Sequence, residues 1–227
     1  MEKEVISTEK QASRRAQKPE VSDSVIKRLP RYFRYLRILM RNGISRISSS
    51  ELSRMMNVTA SQIRQDLNCF GGFGQQGYGY NVEYLYANIC DILGVGAGLN
   101  SVIIGAGNLG RAIVRSNMFE KRGIEIVGMF DVNPVLVNQK IEYVDVYDLE
   151  YIDEFCKNHK VDFAVLTLPK DYAQAVASRL MALGVKGFWN FTGQELELGD
   201  EAIIENVHLG DSLMTLSYRI YDAQCND

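Results

Sequence analysis

Histidine is almost missing from this chain, and its few cysteines stand apart. His159 and His208 are the only imidazoles. Neither has an acid or nucleophile beside it in sequence, so acid–base or nucleophilic catalysis lacks a carrier. Cys69, Cys90, Cys156 and Cys225 form no C-x-x-C pair, which withholds the ligand spacing that a metal cluster needs. Unpaired thiols fit a reducing compartment. Long apolar runs are also absent: none approaches the roughly 18 residues of a membrane span. The expectation is a cytoplasmic protein without metal, membrane contact or enzymatic activity.

What is present is ordinary globular composition, 46% hydrophobic and 23% charged over 227 residues, with length enough for two domains. Charge divides unevenly between them. Residues 1 to 94 carry 14 Lys/Arg against 9 Asp/Glu, whereas residues 95 to 227 carry 11 against 19. Between Ser24 and Tyr80, nine basic residues face only Glu51 and Asp66. Such a surplus suits a polyanionic partner, although a solvated basic face gives the same count.

Residues 1–22 are polar and aperiodic and read as a disordered tail. Ile26, Leu29, Phe33, Leu36 and Met40 then recur at helical spacing up to Asn42-Gly43, with Pro30 tolerable in a first turn. Two capping boxes follow, Ser48 with Glu51 and Thr59 with Gln62, and predict two short helices joined by a tight turn near Asn57. In the second helix Ile63, Leu67 and Phe70 face inward, leaving Ser61, Gln62, Arg64, Gln65 and Asn68 outward, where they suit base edges and phosphates. Ser49 and Thr59 at the helix starts join this candidate DNA-binding set. Glycines from Gly71 to Gly79, interleaved with Phe73, Tyr78 and Tyr80, suit a twisted hairpin wing, with an interdomain linker as the alternative. Gly77, Tyr78 and Tyr80 are its candidate DNA contacts. A helix through Val82, Leu85, Ile89 and Leu93 closes a winged-helix domain at 23–94, and 95–99 reads as linker.

The second domain, 100–207, opens with the strand Val102-Ile103-Ile104 and runs into Gly105-Ala106-Gly107-Asn108-Leu109-Gly110 before a helix. This is G-x-G-x-x-G between strand and helix, the phosphate turn of a dinucleotide fold. Gly105 permits the turn, Gly107 admits a pyrophosphate to the backbone, and Gly110 lets helix pack on strand. A second strand, Ile126 to Phe130, ends at Asp131, placed to accept from ribose hydroxyls and to repel a 2′-phosphate, so NAD(H) is expected over NADP(H). A chance glycine turn and acid is the alternative. Further strands at Val161–Leu168, Val185–Phe191 and Ala202–Val207, with a helix at Ala173–Leu183, complete an α/β, doubly wound parallel Rossmann sheet. Its ligand belongs at the carboxyl strand ends, near Leu168, Pro169 and Phe191. In the last segment, 208–227, Leu209, Leu213, Leu216 and Ile220 make an apolar stripe with little chain left to cover it, and a partner subunit is the expected cover.

The stretches Arg28-Leu29-Pro30-Arg31-Tyr32-Phe33-Arg34-Tyr35-Leu36-Arg37, Ile47 to Leu52 and Gln62 to Gly71 resemble the Rex redox-sensing repressors. So do Gly105 to Arg111, Phe130-Asp131, Leu168-Pro169, Ala173-Gln174 and Asn190-Phe191. The resemblance covers about residues 22 to 224. It implies a homodimer with a domain-swapped C-terminal helix that binds palindromic operator DNA, with NADH promoting release and NAD+ permitting binding. It also implies an interdomain switch at Arg34, Ser116 and His208. Here the sequence departs from the family: Ser116 stands for a usual tyrosine, Thr192-Gly193 for Ala-Pro, His208 for an acid, and Gln65 for a recognition-helix lysine. Two other readings stay open, a dinucleotide-binding regulator that does not discriminate NADH from NAD+, and an NAD-dependent oxidoreductase. Against the latter, only about twenty residues follow the last strand, too few for a substrate domain.

Overall fold

Amphipathic helices occupy the first part of the chain and a sheet the second. The computed structural model describes residues 21–71, 74–75 and 78–226, and the chain divides into two units between Val95 and Gly96. The expectation for the tail lies largely outside the described residues.

The first unit contains helices α1 (Asp23–Ile26), α2 (Leu29–Arg41), α3 (Ser49–Met56), α4 (Ala60–Asn68) and α5 (Val82–Leu93), and short strands β1 (Arg46–Ile47), β2 (Gly74–Gln75) and β3 (Gly79–Asn81). The strands pair antiparallel in the order β1-β3-β2. Leu29, Leu36, Leu52, Met56, Ile63, Leu85 and Ile89 are buried together in its core. The α2 stripe differs from the sequence expectation. Ile26 and Met40 are 47% and 39% exposed, while Tyr32 and Leu39 are buried. The helix breaks after Ile26, which resets its phase, and Tyr32 enters the core because its hydroxyl donates to the Asp66 carboxylate at 2.9 Å.

The first capping box is complete. Glu51 N–H donates to Ser48 Oγ at 3.1 Å and Ser48 N–H to Glu51 Oε2 at 2.8 Å. The bond from Ser48 N–H and a second from the Ser48 hydroxyl, at 2.7 Å, hold the Glu51 carboxyl below its ordinary range. The second box is half formed: Thr59 Oγ1 accepts from Gln62 N–H, but the Gln62 amide turns instead to Asp66 Oδ1 at 2.8 Å. A buried charged acceptor outcompetes a neutral partner. Between the helices Asn57 takes a left-handed conformation, φ 50°, making the tight turn that the capping signals required.

The second unit contains a seven-stranded sheet in the order β10-β9-β8-β4-β5-β7-β6. Its strands are β4 (Leu99–Ile104), β5 (Ile124–Asp131), β6 (Lys140–Ile141), β7 (Val144–Asp148), β8 (Phe163–Leu166), β9 (Gly187–Asn190) and β10 (Ile203–Asn206). Its helices are α6 (Asn108–Arg115), α7 (Ile152–Asn158), α8 (Lys170–Ala182) and α9 (Leu209–Asn226). Six strands run parallel, but β6 pairs antiparallel with β7, so the wholly parallel sheet expected from the sequence is corrected to a mixed one. β6, β7 and α7 escaped the sequence reading because they are short and Val144–Asp148 is half polar. The expected linker 95–99 is also trimmed. Val95 packs against the first core and Leu99 already belongs to β4.

Strand β4 has β5 on one side and β8 on the other, which puts the topological switch point at the carboxyl end of Ile104. On α9, Leu209, Leu213, Leu216 and Ile220 are each more than half exposed. No helix among the described residues is long and apolar enough to cross a membrane.

Candidate nucleic-acid interface and dinucleotide cleft

Helix α4 offers a polar face built on a buried charge. Ser61, Arg64 and Gln65 are exposed and Gln62 is half-buried. Arg64 Nη1 donates to Ser49 Oγ at 3.1 Å, so the first turn of α3 steadies the long cation on α4. Thr59 serves its own helix as the N-cap. On the wing, Tyr78 is 70% exposed and its carbonyl accepts from Arg46. Gly77 lies outside the described residues. Tyr80, expected on the DNA-facing surface, is corrected to a core side chain, 8% exposed, because its β3 register opposite Ile47 turns the ring inward.

Asp66 carries this face from beneath. Fully buried, it accepts from Arg28 Nε and Nη2, both at 2.7 Å, from Tyr32 and from Gln62. Burial alone would raise its pKa, but the hydrogen bonds from Arg28, Gln62 and Tyr32 outweigh that and hold the carboxyl below its ordinary range. In return, burial and the bond to Asp66 push the Tyr32 phenol well above its usual value. Sequence reasoning assigned no site role to Asp66 or Arg28. The available signal was a lone acid on the recognition helix amid nine bases.

The second site is made mainly of backbone. Gly105, at φ +105°, directly follows β4, and a Cβ there would stand 2.7 Å from the Thr167 carbonyl oxygen. A Cβ on Gly110 would stand 2.2 Å from the Gly105 oxygen. Around Gly107, by contrast, a Cβ would meet nothing within 4 Å. Gly107 is also the N-cap of α6 and brings no side-chain cap, leaving the helix's first amides to a ligand. Ala106 is buried beneath the turn. A bare, concave turn at a switch point fits the pyrophosphate of a dinucleotide.

From this turn a cleft of about 740 Å³ extends past Asp131, Asn133, Thr167 and Tyr172, with Leu168 and Pro169 in its wall as expected. Thr167 Oγ donates to the Ile104 and Gly105 carbonyls and braces the turn. Asp131 is half-buried and tied down: Oδ2 accepts from Ala106 N–H at 2.6 Å and Oδ1 from Asn133 N–H at 2.8 Å. A carboxylate has about four acceptor positions, so capacity for ribose hydroxyls remains. Asn108, Leu109 and Phe191 do not line this cleft. The first two lie in the opening turn of α6, where Leu109 packs into the core, and Phe191 packs edge-on against Trp189 at 4.6 Å. The strand order explains the last, since β9 is separated from β4 by β8. Val132, Leu136 and Val176, which sequence reasoning left out, supply apolar lining.

The three switch candidates have local partners. In the first unit, Arg34 lies over the Tyr35 ring at 5.2 Å. In the second, Ser116 donates back to the Ile113 carbonyl at 2.7 Å, and His208 lies 3.4 Å from Glu195. The sequence placed no acid beside His208, and the tertiary structure supplies one.

A helix-turn-helix unit joined to a Rossmann unit with an open glycine turn defines a nucleotide-responsive DNA-binding protein. Two family models agree with the division: residues 20–68 match a putative DNA-binding protein N-terminus and residues 99–193 a CoA binding domain. The redox-sensing transcriptional repressor Rex of Thermoanaerobacter pseudethanolicus is 54% identical over 92% of this chain and 93% of its own length. Its counterpart in Clostridium kluyveri is 49% identical over 91% and 99%. Two solved structures of RSP superpose with TM-scores of 0.85. One, in complex with beta-NAD+ and operator DNA, is 55% identical over 90% of this chain and 94% of that one. The other, with beta-NADH, is 51% identical over 91% and 97%. The chain belongs to the Rex family of redox-sensing transcriptional repressors.

Proposed function

We infer that this protein is an NAD(H)-modulated repressor that binds palindromic operator DNA as a homodimer in the cytoplasm and leaves it when the reduced dinucleotide is bound. The observation that carries this reading is the bare turn at Gly107, open above an uncapped helix N-terminus, in the same chain as the polar face of α4. Gly105, Ala106, Gly107, Asn108, Leu109 and Gly110 would hold the pyrophosphate. Asp131 would accept from a ribose, Leu168 and Pro169 would line the adjoining wall, and Phe191 would lie toward the nicotinamide end. When bound, the nicotinamide ring supplies the signal, a positive charge present in NAD+ and absent in NADH. The protein must read that difference through differential affinity between two arrangements, since contacts common to both forms shift nothing.

On the DNA side, Ser61, Gln62, Arg64 and Gln65 would face the major groove, with Ser49 holding Arg64, Thr59 capping the helix, and Gly77 and Tyr78 reaching the backbone from the wing. The uncovered stripe of α9 is the natural dimer surface, and exchange of this helix between subunits would bury it. Arg34, Ser116 and His208 are the proposed switch residues. Catalysis has no place in this reading. NADH should not be oxidised above background with carbonyl substrates.

Ser116 supports a second reading, dinucleotide binding without redox discrimination, because its short hydroxyl is spent on its own helix. An operator shift assay titrated with NADH at fixed NAD+ separates the two. Release as NADH rises is expected, and indifference to the ratio would leave only the second reading. Calorimetry with NADH, NAD+, NADPH and a CoA ester should give the tightest binding for NADH.

A further inference from the structure

Strands β9 and β10 are parallel neighbours, and the asparagines that end them, Asn190 and Asn206, are register partners. Asn190 is 1% exposed and fully engaged. Its Nδ2 donates to the Gln194 carbonyl at 2.7 Å and to Asn206 Oδ1 at 2.8 Å, while its Oδ1 accepts from both the N–H and the hydroxyl of Thr192. Asn206 Nδ2 in turn donates to Glu195 Oε2 at 3.1 Å, and Glu195 Oε1 faces His208 Nε2. His208 lies directly before α9, and its carbonyl accepts from Asp211 N–H in the first turn. The far end of the intervening loop is fastened by Gln174 on α8, whose amide both donates to the Glu197 carbonyl and accepts from its N–H.

We propose that Asn190, Asn206 and Glu195 form a positioning relay that carries the state of the segment after β9 to the root of α9. The inference rests on the functional reading above, in which Phe191 and its neighbours lie toward the nicotinamide. A saturated buried amide does not deform gradually. If Thr192 moves, Asn190 either loses bonds or takes Asn206 with it, and a network with discrete arrangements is the kind of element that transmits a bias. Only Val207 separates Asn206 from His208, so little slack absorbs the movement. The Thr192 hydroxyl is one of the bonds that load Asn190.

Glu195 is the link to test, because its side chain is 75% exposed and its removal should spare the fold. Operator affinity would be measured with and without NADH for the full chain, on a duplex selected from random sequence by the wild-type protein, alongside NADH calorimetry and melting. For Glu195→Ala, the NADH-dependent ratio of operator affinities should fall at least about threefold, a modest share of a coupling of the usual size because the link is solvent-exposed. Operator affinity without NADH, NADH binding to the free protein and melting should be unchanged. Glu195→Gln, whose amide keeps an acceptor for Asn206 and a polar group facing His208, should retain the wild-type ratio. An unchanged ratio in Glu195→Ala beside a responsive wild type overturns the relay alone, and equal loss in Glu195→Gln overturns its hydrogen-bonded form. A wild type that ignores NADH overturns the functional reading and the relay together.

Discussion

The face of α4 and the turn after β4 are built by opposite means. On α4 the candidate contacts are side chains, two of them steered by other side chains: Gln62 by Asp66, and Arg64 by Ser49. After β4 the surface is backbone, shaped by where side chains are missing. The lesson concerns where each site is fragile. A side-chain surface is vulnerable at its buried support, whereas a backbone surface is vulnerable at glycines chosen for space.

The sharpest break should come at Gly110. A Cβ 2.2 Å from backbone cannot be absorbed by a rotamer, so Gly110→Ala should destabilise the second unit by about 3 kcal/mol or more and abolish dinucleotide binding. Thermal melting and calorimetry check both. Next is the support under α4. Asp66→Ala strands Arg28 and Tyr32 and should cost about 2–3 kcal/mol, below the range for fully buried pairs because Arg28 keeps 24% exposure. The same carboxyl sets a pH dependence. Its folded pKa is depressed, so its contribution is present above the unfolded value of about 3.9 and is lost as pH falls through the folded value. Denaturant midpoints across acidic pH should show this slope in the wild type and less of it in Asp66→Asn.

Gly107→Ala sharpens the contrast between glycines. With open space around it and an ordinary φ of −72°, it should melt like the wild type yet bind the dinucleotide about tenfold more weakly, since the new methyl occupies the ligand's approach. Equal losses of stability in Gly107→Ala and Gly110→Ala would erase the distinction. The smallest effect is expected from Arg64→Ala, with operator binding weaker by about 1 kcal/mol and the salt slope reduced by about one unit. An unchanged slope would remove Arg64 from the phosphate contacts.

Much of this was legible beforehand where a local signal has a local cause. Ser48 with Glu51 is a complete cap because both partners lie within one turn, and Gly105 makes the turn and Gly110 the close packing that their spacing implied. Gln62 was misread because its true partner, Asp66, is buried by packing against α2. Tyr80 was placed outside because aromatics on a glycine-rich hairpin do not reveal which register faces in. β6 was missed because a two-residue edge strand has no period to read, and β7, although interior to the sheet, because about half of its five residues are polar.

The glycine turn and the acid that follows it thus belong to the sequence by itself, since backbone conformation and helix N-termini are fixed over a few residues. So do the paired helix starts of the DNA-binding unit. Only the tertiary structure decided that Asp131 ties itself to Ala106, that Asp66 holds α4 to α2, and that Glu195 stands beside His208. Those contacts join residues 25, 38 and 13 positions apart, and side chains that far apart in sequence meet only when the fold's buried surfaces bring them together.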